Sequence, residues 1–209
     1  MATRRLLELG ANPLVAVEPD DRLAGFLRET IADEALTVVV STFEDVVLPE
    51  ASFDLGLSAT AFHWLDEDPA LTKVAKLLRS GGWWAMVWNI FHDRNRPDLF
   101  HEATKVLLNG PPSPSAGAGD MPFGLDAEAR LAALERTHAF DTVDHKTSAW
   151  SLILDPDQTV ALYATYSNID VRPDREAVLA EVRRIARDEF HGRVIRNMVT
   201  SLYVARRRS

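Results

Sequence analysis

No cysteine occurs among the 209 residues. That excludes disulfides, thiolate nucleophiles and zinc sites built on sulfur, and it suits a reducing, cytoplasmic setting. Positive charge is also scarce: 23 lysines and arginines face 31 acids, for a formal charge of −8. A nucleic-acid backbone calls for concentrated basic surface, so nucleic acid is not an expected partner. Arg206-Arg207-Arg208 is the one basic triplet and reads as a solvated terminal tail. Long apolar runs are missing too. None approaches the roughly 20 residues that cross a bilayer, and the amino terminus lacks the apolar core of a signal peptide. No internal repeat is visible. The remaining composition, 46% hydrophobic and 26% charged, is ordinary for a globular protein. The length suits a single domain over residues 1–209.

The most legible stretch runs from Phe53 to Asn89, FDLGLSATAFHWLDEDPALTKVAKLLRSGGWWAMVWN. Phe53 to Leu57 is an apolar run that predicts a strand buried on both faces. Asp66 or Asp68 can cap a helix with Pro69 in its first turn. Leu71, Val74, Leu77 and Leu78 then repeat at helical spacing, with Lys73, Lys76 and Arg79 toward water. Gly81-Gly82 is placed to stop that helix and turn the chain into a second buried strand, Trp83 to Trp88. The two strands of such a βαβ unit run parallel. Ligands bind outside the carboxyl ends of parallel strands. Here those ends carry Ser58, Thr60, His63 and Trp64, then Asn89 and His92, polar and aromatic groups that a plain core does not need.

Upstream, Ala2 to Leu9 has a helical pattern ended by Gly10, and Leu14 to Val17 reads as a strand. Asp20 caps a helix whose apolar face is Leu23, Phe26, Leu27 and Ile31. Glu18 closes the first of these strands. An acid there can accept from two adjacent ribose hydroxyls at once, or simply interact with the start of the next helix. Thr37 to Val40 is the next strand. Phe43, in the loop after it, is either a wall for a planar base or a core plug.

Downstream, Pro97 to Leu108 reads as a helix. His92, Asp93, His101 and Glu102 are metal-ligand types at no recognised metal spacing, so no metal is expected. Asn109 to Gly124 is rich in Pro, Gly and Ser and reads as a mobile loop, either a lid or a surface insertion. A helix from Asp126 to Glu135 and a strand from Asp141 to Leu154 follow. The next helix, begun by Asp155-Pro156 and ending near Tyr166, gathers Tyr163, Tyr166, Ser167 and Asn168 as pocket or core residues. A helix from Arg175 to His191 and a last strand, Val194 to Ala205, complete the chain.

Taken in order, Glu18, Phe43-Glu44, Ser52-Phe53-Asp54, Ala61-Phe62-His63-Trp64-Leu65 and Leu78-Arg79-Ser80-Gly81-Gly82 resemble the class I S-adenosylmethionine-dependent methyltransferases, in the small-molecule branch labelled type 11. The resemblance implies a Rossmann-like α/β sheet, mostly parallel, that ends in an antiparallel hairpin. It implies S-adenosylmethionine as cofactor and a small molecule as methyl acceptor. Glu18 would hold the ribose, Thr42, Phe43 and Glu44 would lie by the adenine, and Ser58 would face the methionine part. His63 would be the general base, with Trp64, Asn89 and Tyr166 in the substrate pocket. Thr42 departs from the pattern, standing where the family often has an acid.

The larger departure is an absence. The family's central first strand and its glycine-rich loop should precede Ala2, and they are not in this sequence. Gly117-Ala118-Gly119 has the spelling of such a loop but follows prolines rather than a strand. A strand-wide gap of roughly twice 4.8 Å cannot be bridged by hydrogen bonds, and buried unpaired backbone is costly. The expectation is therefore that residue 1 is not the start of the ancestral domain. Two other functions remain open at this point. One is a non-catalytic remnant of the fold acting as a binding protein. The other is an NAD-dependent oxidoreductase, because Glu18 would serve that ribose equally well, although no Tyr-x-x-x-Lys pair is present.

Overall fold

Asp20 begins the helix expected of it: its carboxylate accepts from the backbone N–H groups of Arg22 at 2.8 Å and Leu23 at 3.3 Å, donors that a helix start leaves open. The structure, a computed structural model, describes residues 2–91, 93–108 and 121–209, apart from the side chain of Ser167. In order, the first elements are α1 (Ala2–Glu8), β1 (Leu14–Glu18), α2 (Asp21–Thr30), β2 (Leu36–Val40), β3 (Phe53–Ala59), α3 (Glu67–Leu77) and β4 (Leu78–Ile90). Then come α4 (Leu99–Thr104), α5 (Ala127–Arg136), β5 (Phe140–Leu154), α6 (Pro156–Tyr163), α7 (Ser167–Asp170), α8 (Arg175–Arg184) and β6 (Val194–Arg207). Among the described residues no helix is long and apolar enough to cross a membrane. Two compact units emerge, one of Met1–Ala85, Ala132–Val143 and Ala205–Ser209, the other of Met86–Leu131 and Asp144–Val204.

The strands form two sheets. β1 and β2 make a parallel pair in which Leu14 lies opposite Leu36 and Glu18 opposite Val40. The other sheet has the order β3-β4-β6-β5. Gly82 packs on the Phe53 carbonyl and Gly56 on Trp84, so β3 and β4 advance together. Leu78 and Asn89 meet Arg207 and Thr200 respectively, and Phe140 and Ser151 meet Arg208 and Asn197, so β6 runs against both neighbours. The α/β architecture is as expected, but this sheet is mostly antiparallel rather than mostly parallel. The antiparallel hairpin expected of the last two strands is present as β5 and β6, and because β6 also runs against β4, two of the three pairings in this sheet are antiparallel.

In the first unit, α3 buries Ala70, Leu71, Val74, Ala75 and Leu77, and fully buried Phe62 meets Trp84 edge-on at 5.6 Å. Three expectations are corrected here. Gly81 and Gly82 do not stop α3, which ends at Leu77, but lie inside β4. Gly81 has φ +73°, and a Cβ on Gly82 would sit 3.0 Å from the Phe53 carbonyl, so close backbone approach explains the pair. Lys73 does not face water; its Nζ donates to the carbonyls of Glu44 (2.8 Å) and Val46 (2.7 Å). The apolar faces of α2 and β3 are only partly covered, with Leu23 55% and Leu55 46% exposed. An apolar stripe states what an element can bury, not what is present to cover it.

In the second unit, Phe100, Tyr163, Ile169, Val182 and Val194 form the core. The predicted helix from Pro97 is shorter, α4 passing at Lys105 into a 3-10 turn. The helix expected to reach Tyr166 stops at Tyr163, after an Asp155–Gln158 capping box. The last helix likewise ends at Arg184 and widens into a π turn, Ile185–Glu189. Gly124 has the tightest glycine environment described: a Cβ there would lie 2.6 Å from the Trp88 ring. Gly124→Ala should therefore cost about 1–3 kcal/mol by overpacking; thermal unfolding checks this.

Candidate functional site

The register of β1 and β2 sets the first half of the site. Because Glu18 stands opposite Val40, the acid and the loop that starts at Ser41 leave the sheet side by side, joined by the Ser41 N–H donating to the Glu18 carbonyl at 3.3 Å. One oxygen of the half-buried Glu18 carboxylate, Oε1, accepts from the Asp20 N–H at 3.0 Å. Oε2 makes no hydrogen bond among the described residues. Phe43 is half-buried beneath the Lys73 ammonium, 5.3 Å from its ring centroid, and Lys73 pins the loop by the two carbonyls named above. Thr42 and Glu44 are exposed. The Thr42 hydroxyl is used within the loop: it donates to Asp45 Oδ2 at 2.9 Å and accepts from the Asp45 N–H at 3.2 Å. Thr42 thus fixes the shape of the loop.

A fixed carboxylate oxygen is open to a vicinal diol, and an aromatic ring lies in the loop that follows the neighbouring strand.

The end of β3 carries the second cluster. Ser58 is half-buried. Thr60 has φ +53°, a genuine outlier for a β-branched residue, of a kind that gathers at functional sites. A short 3-10 turn, Phe62–Trp64, follows. It buries His63 and leaves Trp64 62% exposed, with the two rings 5.4 Å apart and tilted by 38°. Burial holds the His63 imidazole below its ordinary pKa, because a charged ring loses hydration there.

Asn89 and Tyr166 belong to the second unit. Asn89 is exposed, and its Oδ1 accepts from the Thr200 hydroxyl at 2.6 Å, which in turn accepts from Trp150 Nε1 at 2.9 Å. Tyr163 and Asn168 have structural partners: Tyr163 meets Thr104 (3.0 Å) and Arg196 (2.9 Å), and Asn168 donates to the Leu108 carbonyl at 2.9 Å. Tyr166 differs. Its buried hydroxyl makes no hydrogen bond of good geometry, its ring lies 6.4 Å from Phe91, and burial raises its pKa. His92, residues 109–120 and with them Gly117-Ala118-Gly119 lie outside the described residues. The remaining metal-type acids are engaged, Asp93 by Arg96 at 2.6 Å and Glu102 by Lys105 at 2.6 Å.

Sequence reasoning missed Lys73 and the strain at Thr60. Lys73 sits at a polar-face position of α3, so periodicity assigns it to solvent. The left-handed Thr60 runs against propensity and leaves no mark in the sequence.

The chain is similar to known proteins. Residues 1–86 match a family described as a methyltransferase domain. An uncharacterised methyltransferase of Mycobacterium tuberculosis is 36% identical over 92 residues, which is 44% of this chain and 37% of the relative. The match thus spans well under half of that relative's length. The YcgJ protein of Bacillus subtilis superposes with a TM-score of 0.58 at 16% identity, covering 100% of this chain and 88% of the other. An S-adenosylmethionine-dependent methyltransferase of Mesorhizobium loti gives a TM-score of 0.51 at 20% identity, covering 99% and 85%. The chain has an α/β Rossmann-like methyltransferase fold, and its first 86 residues match the methyltransferase domain family.

Proposed function

We propose that this protein takes part in S-adenosylmethionine-dependent methyl transfer to a small molecule. The observation that carries the reading is the parallel register placing Glu18 beside the Ser41–Asp45 loop. The cofactor, when bound, supplies the electrophilic methyl group. The chain's own residues bind, orient and manage a proton. Glu18 accepts from the ribose hydroxyls, and Phe43 flanks the base while Lys73 holds its loop. Ser58 lies toward the methionine part, and Trp64 supplies an aromatic wall for the acceptor. His63, kept neutral by burial, accepts the acceptor's proton.

Calorimetric titration of the full chain with S-adenosylmethionine and, separately, with NAD tests this reading. Binding of the sulfonium compound alone is expected; binding of NAD alone, or of neither, contradicts it. His63→Gln should lower turnover about 100-fold, the lower end for a lost general base, with S-adenosylhomocysteine affinity unchanged. Equal loss of both would assign His63 a structural role. Because burial lowers the His63 pKa, the base stays unprotonated below the usual histidine value of about 6.5. The acid limb of the rate profile should therefore fall below that pH. Stability follows the same sign: the unfolded ring binds the proton more readily, so stability falls as pH drops below the unfolded pKa and is lost through the lower folded one.

A further inference from the structure

Arg207 and Arg208 are not a solvated tail. Arg207 ends β6 and its Nη1 donates to the Leu78 carbonyl, while Arg208 Nε donates to the Phe140 carbonyl at 3.0 Å. Both line an open groove of about 350 Å³ in the first unit, together with Lys76, Thr72, Ala75, Thr137 and Ala139. No carboxylate lines it, and among the described residues none of Lys76, Arg207 and Arg208 forms an ion pair. That is unexpected in a chain with 31 acids against 23 bases, where Arg96, Arg136, Arg172, Arg184 and Arg196 all hold acids. Unpaired cations brought together repel one another, so the arrangement favours an anion between them.

The donors are suitably prepared. Each guanidinium is anchored by one hydrogen bond, which leaves further N–H groups in the planar fork that matches phosphate oxygens. Lys76 adds a point charge, its ammonium making no hydrogen bond among the described residues. The Thr72 and Thr137 hydroxyls already donate to Asp68 and Leu134 carbonyls, at 2.9 Å and 2.7 Å, so the cations alone supply donors. We infer that this groove, walled by α3, the turn after α5 and the end of β6, binds a soluble small molecule through a phosphate or diphosphate group. The site shares no residue with the proposed methyl-transfer site.

Inorganic pyrophosphate is the probe, titrated into the full chain near physiological salt while amide and arginine side-chain resonances are followed. Saturable shifts centred on Lys76, Arg207 and Arg208 are expected. Lys76→Gln should weaken binding about ten-fold, equivalent to 1.4 kcal/mol, without changing the melting temperature, and adding Arg208→Gln should weaken it further. Arg206→Gln is the control, since Arg206 donates instead to the Gly81 carbonyl and does not line the groove; affinity should stay unchanged. Absence of saturable shifts at millimolar pyrophosphate overturns the inference, as does equal weakening by Arg206→Gln. Co-sedimentation with phosphatidic acid vesicles while free pyrophosphate leaves the spectrum unchanged would assign the groove to a lipid surface and overturn it too.

Discussion

Glu18→Ala should weaken S-adenosylhomocysteine binding about 100-fold, because hydrogen bonds to a charged acceptor contribute about 1.5–3 kcal/mol each and two ribose hydroxyls lose theirs. The fold should survive. The Glu18 carboxylate has one intramolecular hydrogen bond, from the Asp20 N–H, while the N-terminus of α2 is capped by Asp20 itself. Glu18→Gln retains an acceptor oxygen but loses the charge, and about 10-fold weakening is expected, since neutral hydrogen bonds are roughly half as strong. Calorimetry with parallel thermal melts separates lost binding from lost structure. Unchanged affinity in Glu18→Ala would remove Glu18 from the cofactor site.

Arg196→Met carries the largest expected stability effect. Arg196 is 1% exposed, with Nε 2.6 Å from Asp98 Oδ2 and Nη1 2.9 Å from the Tyr163 hydroxyl. Its guanidinium also lies 4.3 Å from the Phe91 ring centroid. Asp98 has a second task, since its Oδ1 caps α4 through the His101 N–H at 2.8 Å. Removing the arginine leaves the Asp98 carboxylate, 11% exposed, without its counter-charge, a change that costs about 3 kcal/mol, the lower end for a buried pair. At roughly 2–4 °C per kcal/mol for a chain of this size, melting should fall by about 10 °C. Adding Asp98→Asn removes the orphaned charge and should recover part of the loss. Circular dichroism melts decide: a shift of a degree or two in the single variant would mean that the pair contributes little.

How much of this was legible in the sequence depends on how local each feature is. α2, α3, β1 and β2 could be read from spacing and caps, because an Asp20 cap or a Leu71–Val74–Leu77 stripe is written within one element. The place of Glu18 at the end of a strand was legible for the same reason. The parallel β3–β4 pair and the antiparallel late strands were read correctly, but the antiparallel pairing of β6 with β4 was not, since it joins residues more than a hundred positions apart, as with Asn89 and Thr200. Gly81 and Gly82 misled because glycine serves a helix end and a close backbone approach equally well. Arg207 and Arg208 looked like a tail because their acceptors, the Leu78 and Phe140 carbonyls, are distant in sequence.

The central claim is that the Glu18 carboxylate receives the sugar of the cofactor. Comparing the affinities of S-adenosylhomocysteine and its 2′,3′-dideoxy analogue for the full chain, and repeating the pair on Glu18→Ala, tests that contact from the ligand side. The natural compound should bind about 100-fold more tightly to the unaltered chain, as two charge-assisted bonds require, and the preference should collapse in the variant. Equal affinities for the two compounds, or a preference that survives the loss of Glu18, would contradict the claim.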